Sequence, residues 1–174
     1  MHSLYYVIFN KENADTSEEA RRYANSTLEN ENFAGGEGYW GGSKSDWYVI
    51  GGRWSGNLQT VQLKKDFYEE AKKQFAKENW GLTNVDIKDN KEEIQSVWEE
   101  LGGTGTNPCD RDNYNHNGFD DDAQLLTPEL LKALNKKEGD VEYFDADEYH
   151  EGFIKELTND EIKDKWIVVV DYHH

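Results

Sequence analysis

Three stretches of this 174-residue chain hold residue types at spacings that chemistry can use. The first runs from Gly35 to Gly56. It carries eight of the fifteen glycines, together with Tyr39, Trp40, Trp47, Tyr48 and Trp54. Glycine lets backbone approach a ligand closely or take positive φ. Tryptophans set among glycines can form flat stacking walls. Arg53, one of four arginines, stands between Gly52 and Trp54, where a guanidinium beside aromatic rings could clamp a carboxylate, a phosphate or a base. Trp47, Tyr48, Gly51, Gly52, Arg53 and Trp54 are therefore the candidate ligand-binding residues. The competing reading is a β-bulge with a buried arginine and core-filling tryptophans. The GxxxxGK[ST] phosphate loop is absent, and GGRWSG does not fit GxGxxG.

The second stretch is Asp110 to Asp122, DRDNYNHNGFDDD. Asn113, Asn115, Asn117 and Gly118 match the early positions of an EF-hand loop, but Gln124 stands where the bidentate Glu is needed. A looser Ca²⁺ or Mg²⁺ site on Asp120, Asp121 or Asp122 is the sharper reading, and a loop of Asx-turns the plainer one. The third stretch is the chain's end, Asp171-Tyr172-His173-His174. If Asp171 closes a strand, alternation puts it on one face with His173. With Asp121, Asp122, Asp145 or His150 these could hold a divalent metal and activate water. Asp121, Asp122, Asp171 and His173 are thus the candidate metal ligands, for Mg²⁺, Mn²⁺ or Ca²⁺, and the alternative is a polar strand terminus. Cys109 has acidic neighbours, Asp110 and Asp112, which disfavour a thiolate nucleophile.

These residues need elements to position them. Leu4 to Phe9 (LYYVIF) predicts a buried strand. Thr16 and Glu19 have capping-box spacing, and Ala20, Tyr23, Ala24, Thr27 and Leu28 give a helix near 17–29. Asp46 to Ile50 predicts a strand ended by Gly51-Gly52, with Arg53 to Val61 continuing as a hairpin or bent strand. Leu63, Phe67, Ala71 and Phe75 mark a helix over 63–79. Asn90 and Glu93 suggest a capping box before Ile94, Val97, Trp98 and Leu101, with Gly102-Gly103 as the stop. Residues 102–122 read as a long polar loop. Thr127-Pro128 opens a helix, Val141 to Phe144 is a weak strand, and Thr158 to Asp164 a short helix. Trp166 to Val170 (WIVVV) is apolar at every position, which predicts a central strand covered on both faces. The order is α+β, and the expected arrangement is a ferredoxin-like split-βαβ sandwich with an enlarged helical and loop middle, one domain over 1–174.

Composition narrows the job. With 36 Asp+Glu against 19 Lys+Arg the chain carries −17, which opposes binding phosphate backbones over a broad face. It favours a basic protein partner, a cation or simple solubility. Residues 106–174 hold 7 basic and 18 acidic residues, and Glu138 to Glu151 holds seven acids with no Lys or Arg. That stretch reads as a solvated edge or a docking face. No apolar run is long enough for a membrane span, the first residues lack signal-peptide character, and one cysteine forms no internal disulfide. A cytoplasmic protein is the expectation.

DWYVIGGRW (Asp46–Trp54), DDAQLL (Asp121–Leu126) and VVVDYH (Val168–His173), in that order, resemble blocks of a family of uncharacterised bacteriophage- and prophage-associated proteins. The resemblance implies a small accessory protein in the bacterial cytoplasm, of the kind that blunts a host defence or binds a host factor. Three functions follow as expectations. The first is a binding or anti-defence factor that occupies a basic host protein or sequesters a small, nucleotide-like ligand in a Trp/Gly/Arg pocket. The second is a metal-dependent phosphoester hydrolase using Asp121, Asp122, Asp171 and His173. The third is a phage structural or assembly protein, marked by self-association.

Overall fold

The computed structural model describes residues 1–59, 61–75, 84–104, 107–109, 122–136 and 140–174. The strands are β1 (His2–Asn10), β2 (Trp47–Ile50), β3 (Ala123–Leu125), β4 (Glu142–Asp145), β5 (His150–Phe153) and β6 (Lys165–His173). The helices are α1 (Ser17–Asn30), α2 (Val61–Gln74), α3 (Asn84–Asp89), α4 (Lys91–Glu100) and α5 (Pro128–Asn135). All six strands join one mixed sheet, ordered β2-β6-β1-β4-β5, with β3 also on β6.

The strongest apolar run becomes the hub. β6 pairs antiparallel with β1 along its whole length, from His2↔His173 to Asn10↔Lys165. On its other side it pairs with β2 over Ile50↔Val170 to Trp47↔His173 and with β3 over Ala123↔Val168 to Leu125↔Trp166. Val168 and Val170 face a core built with Ala20, Ala24 and Leu28 of α1. Ile167 and Val169 face a second core with Leu130, Leu131 and Leu134 of α5. An all-apolar strand is therefore stable here because helices cover both faces, each buried Val or Ile contributing about 1.5–3 kcal/mol. The enlarged middle makes its own small core, Phe67 and Ala71 of α2 against Ile94, Val97 and Trp98 of α4.

Several local expectations hold. Thr16 caps α1 by accepting from Glu19 N, and Thr127 caps α5 by accepting from Leu130 N. Others need correction. After Gly51 the chain does not run on as a hairpin or bent strand. It turns through a 3-10 helix, Gly52–Trp54, because two positive-φ glycines turn it off the β6 edge. Thr158 to Asp164 forms turns rather than a helix. Asn90 caps α4 by position only; its side chain donates to Asp86 O. β3, β5 and α3 are too short for periodicity to mark. The α+β class stands, but the ferredoxin-like split-βαβ arrangement is not confirmed. β1 and β4 run parallel as direct neighbours, Tyr5↔Glu142 to Ile8↔Asp145, with no strand between them.

The glycine-rich stretch before β2 folds over the α1 face, around a carboxylate. Oε2 of Glu151 accepts from the Tyr5 hydroxyl, from Trp40 Nε1 at 2.8 Å and from Lys44 Nζ at 3.0 Å. Lys44 also pairs with Glu142 at 2.9 Å. Burial alone would raise the Glu151 pKa, but the bonds from Tyr5, Trp40 and Lys44 outweigh it and hold the carboxyl below its ordinary 4.5. Burial and the Glu151 contact push the Tyr5 hydroxyl far above 10. The signs give two edges. Glu151 contributes stability above its unfolded pKa that is lost as pH falls through the lower folded value. Tyr5 contributes stability below pH 10 that is lost as the unfolded chain ionises above it. Glu151→Gln is expected to cost about 1–3 kcal/mol at neutral pH and to flatten the acid edge, read by urea unfolding across pH 3–8. An acid edge identical to the parent's would refute this role.

Candidate functional site

The three sequence blocks, far apart in the chain, meet on one edge of β6. β2 takes the C-terminal half of that edge and β3 the N-terminal half. Between them Gly51 N donates to Val169 O at 2.8 Å. The Gly51-Gly52 turn closes over two fully buried carboxylates, Asp122 and Asp171, each 0% exposed. Gly51 has φ 77° and ψ −82°, and a Cβ there would overlap Asp122 Oδ2. Gly52 has φ 56°, and its Cβ would come within 2.7 Å of both Asp171 Cβ and Val49 Cγ1. Only glycine fits a backbone this close to two side chains.

Each carboxylate is held. Ser55 Oγ donates to Asp122 Oδ2 at 3.1 Å. Arg53 N donates to Asp171 Oδ2 at 3.0 Å, and Asp171 Oδ1 bonds His2 Nδ1 at 2.9 Å. His2 and His173 are cross-strand partners with ring centroids 5.5 Å apart. His173 Nδ1 bonds Asp46 Oδ2 at 3.1 Å. Trp47, 43% exposed, stacks on His173 at 5.5 Å and 1°. Alternation therefore does bring Asp171 and His173 to one face, but His2 from the other end of the chain completes the group.

The candidate ligand-binding residues divide. Gly51, Gly52 and the Arg53 backbone belong to the carboxylate turn. Tyr48 points the opposite way, packed on the α1 core with its hydroxyl donating to Asn25 O at 3.3 Å, where burial, then Glu29, push its pKa up to about 12. Trp54 lines a groove of about 530 Å³ with Leu4, Tyr6, Asn57, Ile154 and Lys155. Tyr6 forms its floor and accepts from Asn57 Nδ2. Adjacent strand residues face opposite ways, so the separation of Trp47 from Tyr48 is readable in DWYVI. His2, Ser55, Tyr6 and Asn57 carry no such signal, because only the pairing register assembles them.

The proposed metal set fits poorly. Both Asp171 oxygens and His173 Nδ1 are engaged, so a cation would have to displace existing bonds. Among the described residues no group of three or more His, Cys, Asp or Glu is placed to hold a metal ion. Asp121 and the Asn113–Asp120 stretch lie outside the described residues. Asp145 pairs with Lys165 at 2.5 Å and His150 bonds the Tyr143 hydroxyl at 3.1 Å, both away from Asp171. Most of the described acids of the stretch 138–151 are paired within the chain, some of them at the surface. Glu142 and Glu151 hold Lys44, Asp145 holds Lys165, Asp147 bonds Asn13, and Asp140 holds Lys155. No helix among the described residues is long and apolar enough to cross a membrane.

Compared with protein-family models, curated proteins and solved structures, the chain finds no match.

Proposed function

We propose that this chain is a small accessory binding protein of the phage type, acting in the bacterial cytoplasm by holding a small ligand. The observation that carries the reading is the groove beside Trp54. Its volume of about 530 Å³ lies within the roughly 300–1,000 Å³ typical of small-ligand sites. Its lining joins apolar and aromatic residues, Leu4, Tyr6, Trp54 and Ile154 among them, to six polar or charged ones, a more polar make-up than most small-ligand sites have. The carboxylate turn supports it indirectly, because Gly52 and Arg53 anchored on Asp171 fix where Trp54 emerges. Capture of a basic host protein has less support, since the acids of 138–151 are largely paired within the chain. The hydrolase reading has one favourable feature, the Asp171–His2 pair, which resembles an oriented base.

The test is a fragment screen by ¹⁵N and ¹³C NMR on the whole chain. Binding should perturb the Trp54 indole together with Tyr6 and Ile154, saturably, and Trp54→Ala should weaken it by about tenfold or more. If no compound perturbs that group, or if every hit maps to His2, Trp47 and His173 instead, the groove reading falls.

A further inference from the structure

Two histidine rings stand side by side at one end of the sheet. His2, His173 and Trp47 are cross-strand neighbours in a single row. The row lies on the face that α5 covers further along, because Leu4 and Val169, in alternation with the two histidines, pack there. Each histidine leans on a carboxylate through the same ring nitrogen. His2 Nδ1 bonds Asp171 Oδ1 at 2.9 Å, and His173 Nδ1 bonds Asp46 Oδ2 at 3.1 Å. An ionised carboxylate only accepts, so each Nδ1 carries a proton, and in the neutral ring each Nε2 keeps its lone pair. The Met1 ammonium points the same way for one ring. It can only donate, and it lies 3.0 Å from His173 Nε2 at the surface. A cation already stands at that lone pair.

A carboxylate on Nδ1–H is how proteins prepare a histidine to bind a metal through Nε2. It fixes the tautomer, aims the ring and raises its basicity. Here the arrangement occurs twice, on adjacent rings, and their spacing fits one ion. Two imidazoles bound at about 2.0–2.1 Å to a tetrahedral centre have ring centres roughly 5 Å apart. The His2 and His173 centroids are 5.5 Å apart, with the rings at 78°. Trp47 braces both, stacked on His173 and edge-on to His2 at 5.1 Å. The other described histidines are elsewhere. His174 bonds Ser3 Oγ and packs on Tyr172 across the sheet, and His150 bonds the Tyr143 hydroxyl.

We propose that His2 and His173 bind one divalent ion of the Zn²⁺ or Cu²⁺ class through their Nε2 atoms, the ion taking the place of the Met1 ammonium, with Asp171 and Asp46 as positioning residues. Neutral imidazole selects such ions over Mg²⁺ and Ca²⁺, which prefer oxygen. The carboxylates stay on Nδ1, so neither of their bonds to the histidines has to break, unlike in a site that uses Asp171 itself as a ligand. Two protein ligands leave the other positions to water. Binding there requires nothing of the groove beside Trp54.

Histidine ¹⁵N NMR of the whole chain, titrated with Zn²⁺ near neutral pH, tests it. The Nε2 signals of His2 and His173 should move together and saturate at a single ion per chain, while each Nδ1 stays protonated. Mg²⁺ at the same concentration should move neither. In isothermal titration Cu²⁺ should bind more tightly than Zn²⁺. His2→Gln and His173→Gln should each weaken Zn²⁺ about tenfold or more, and Asp46→Asn, at an exposed carboxylate, about tenfold with the thermal midpoint held. An Asp46→Asn variant that binds like the parent overturns the positioning role. Zinc that moves neither ring, or only one, overturns the site. So does binding that survives both histidine variants, which would put the ion at Cys109, His116 or the surface acids.

Discussion

Gly51→Ala is expected to destabilise the fold by about 3–5 kcal/mol, a fall in thermal midpoint of about 10 °C for a chain of this length. Two costs combine. At φ 77° and ψ −82° an L-residue is strained whatever space surrounds it. The added Cβ then overlaps the Asp122 carboxylate and comes within 2.7 Å of Ser55 Oγ. Neither neighbour can yield cheaply, because Asp122 is fully buried and Ser55 is its hydrogen-bond donor. The turn must move off β6, which breaks the Gly51 N to Val169 O bond. Gly42→Ala is the control. A Cβ at Gly42 would meet open space, and the backbone there is ordinary, so the effect should stay within about 0.5 kcal/mol. Urea unfolding of the two variants decides the matter. Equal stabilities would mean that the Gly51-Gly52 turn does not clamp the carboxylates.

That contrast bears on how much the sequence discloses. GGRW is recognisably unusual from composition, and a bulge or turn is one of its two readings. Its purpose is not legible, because the residues it closes over lie 71 and 120 positions later, at Asp122 and Asp171. Elements with a long apolar period are legible: β1, β6, α1 and α5 stand close to where periodicity and capping put them. β3 and β5 are not, since three or four residues of mixed polarity carry no period and depend on a neighbour's free edge. The strand order is likewise hidden. A parallel β1–β4 pair and an edge of β6 shared by two short strands are decided by tertiary packing rather than by any local pattern. At the site, composition and spacing mark the residue types as special but do not reveal their grouping. Trp47 joins the histidines, Tyr48 the α1 core and Trp54 the groove.

Asp171 separates a structural from a catalytic account of the same group. Asp171→Ala is expected to cost about 3–4 kcal/mol. It removes the acceptor of two donors at once, leaves Arg53 N–H without its buried partner, and opens a void under Gly52. A hydrolase that used Asp171 only for chemistry would lose turnover and keep its stability. Asp171→Asn discriminates further. The amide has nearly the same shape, and its oxygen can still accept from Arg53 N. Its NH₂ would then face His2 Nδ1, where the carboxylate stood at 2.9 Å. A donor there requires a lone pair on Nδ1, so the imidazole must carry its proton on Nε2 instead. At a pH where imidazole is neutral, ¹⁵N NMR should show the Nδ1–H tautomer of His2 in the parent and the Nε2–H tautomer in Asp171→Asn. Stability should recover to within about 1–2 kcal/mol of the parent. An unchanged tautomer, or an alanine variant as stable as the parent, would mean that Asp171 does not hold His2 and the Gly52 turn together. The combined result would place the buried carboxylate among the supports of the fold.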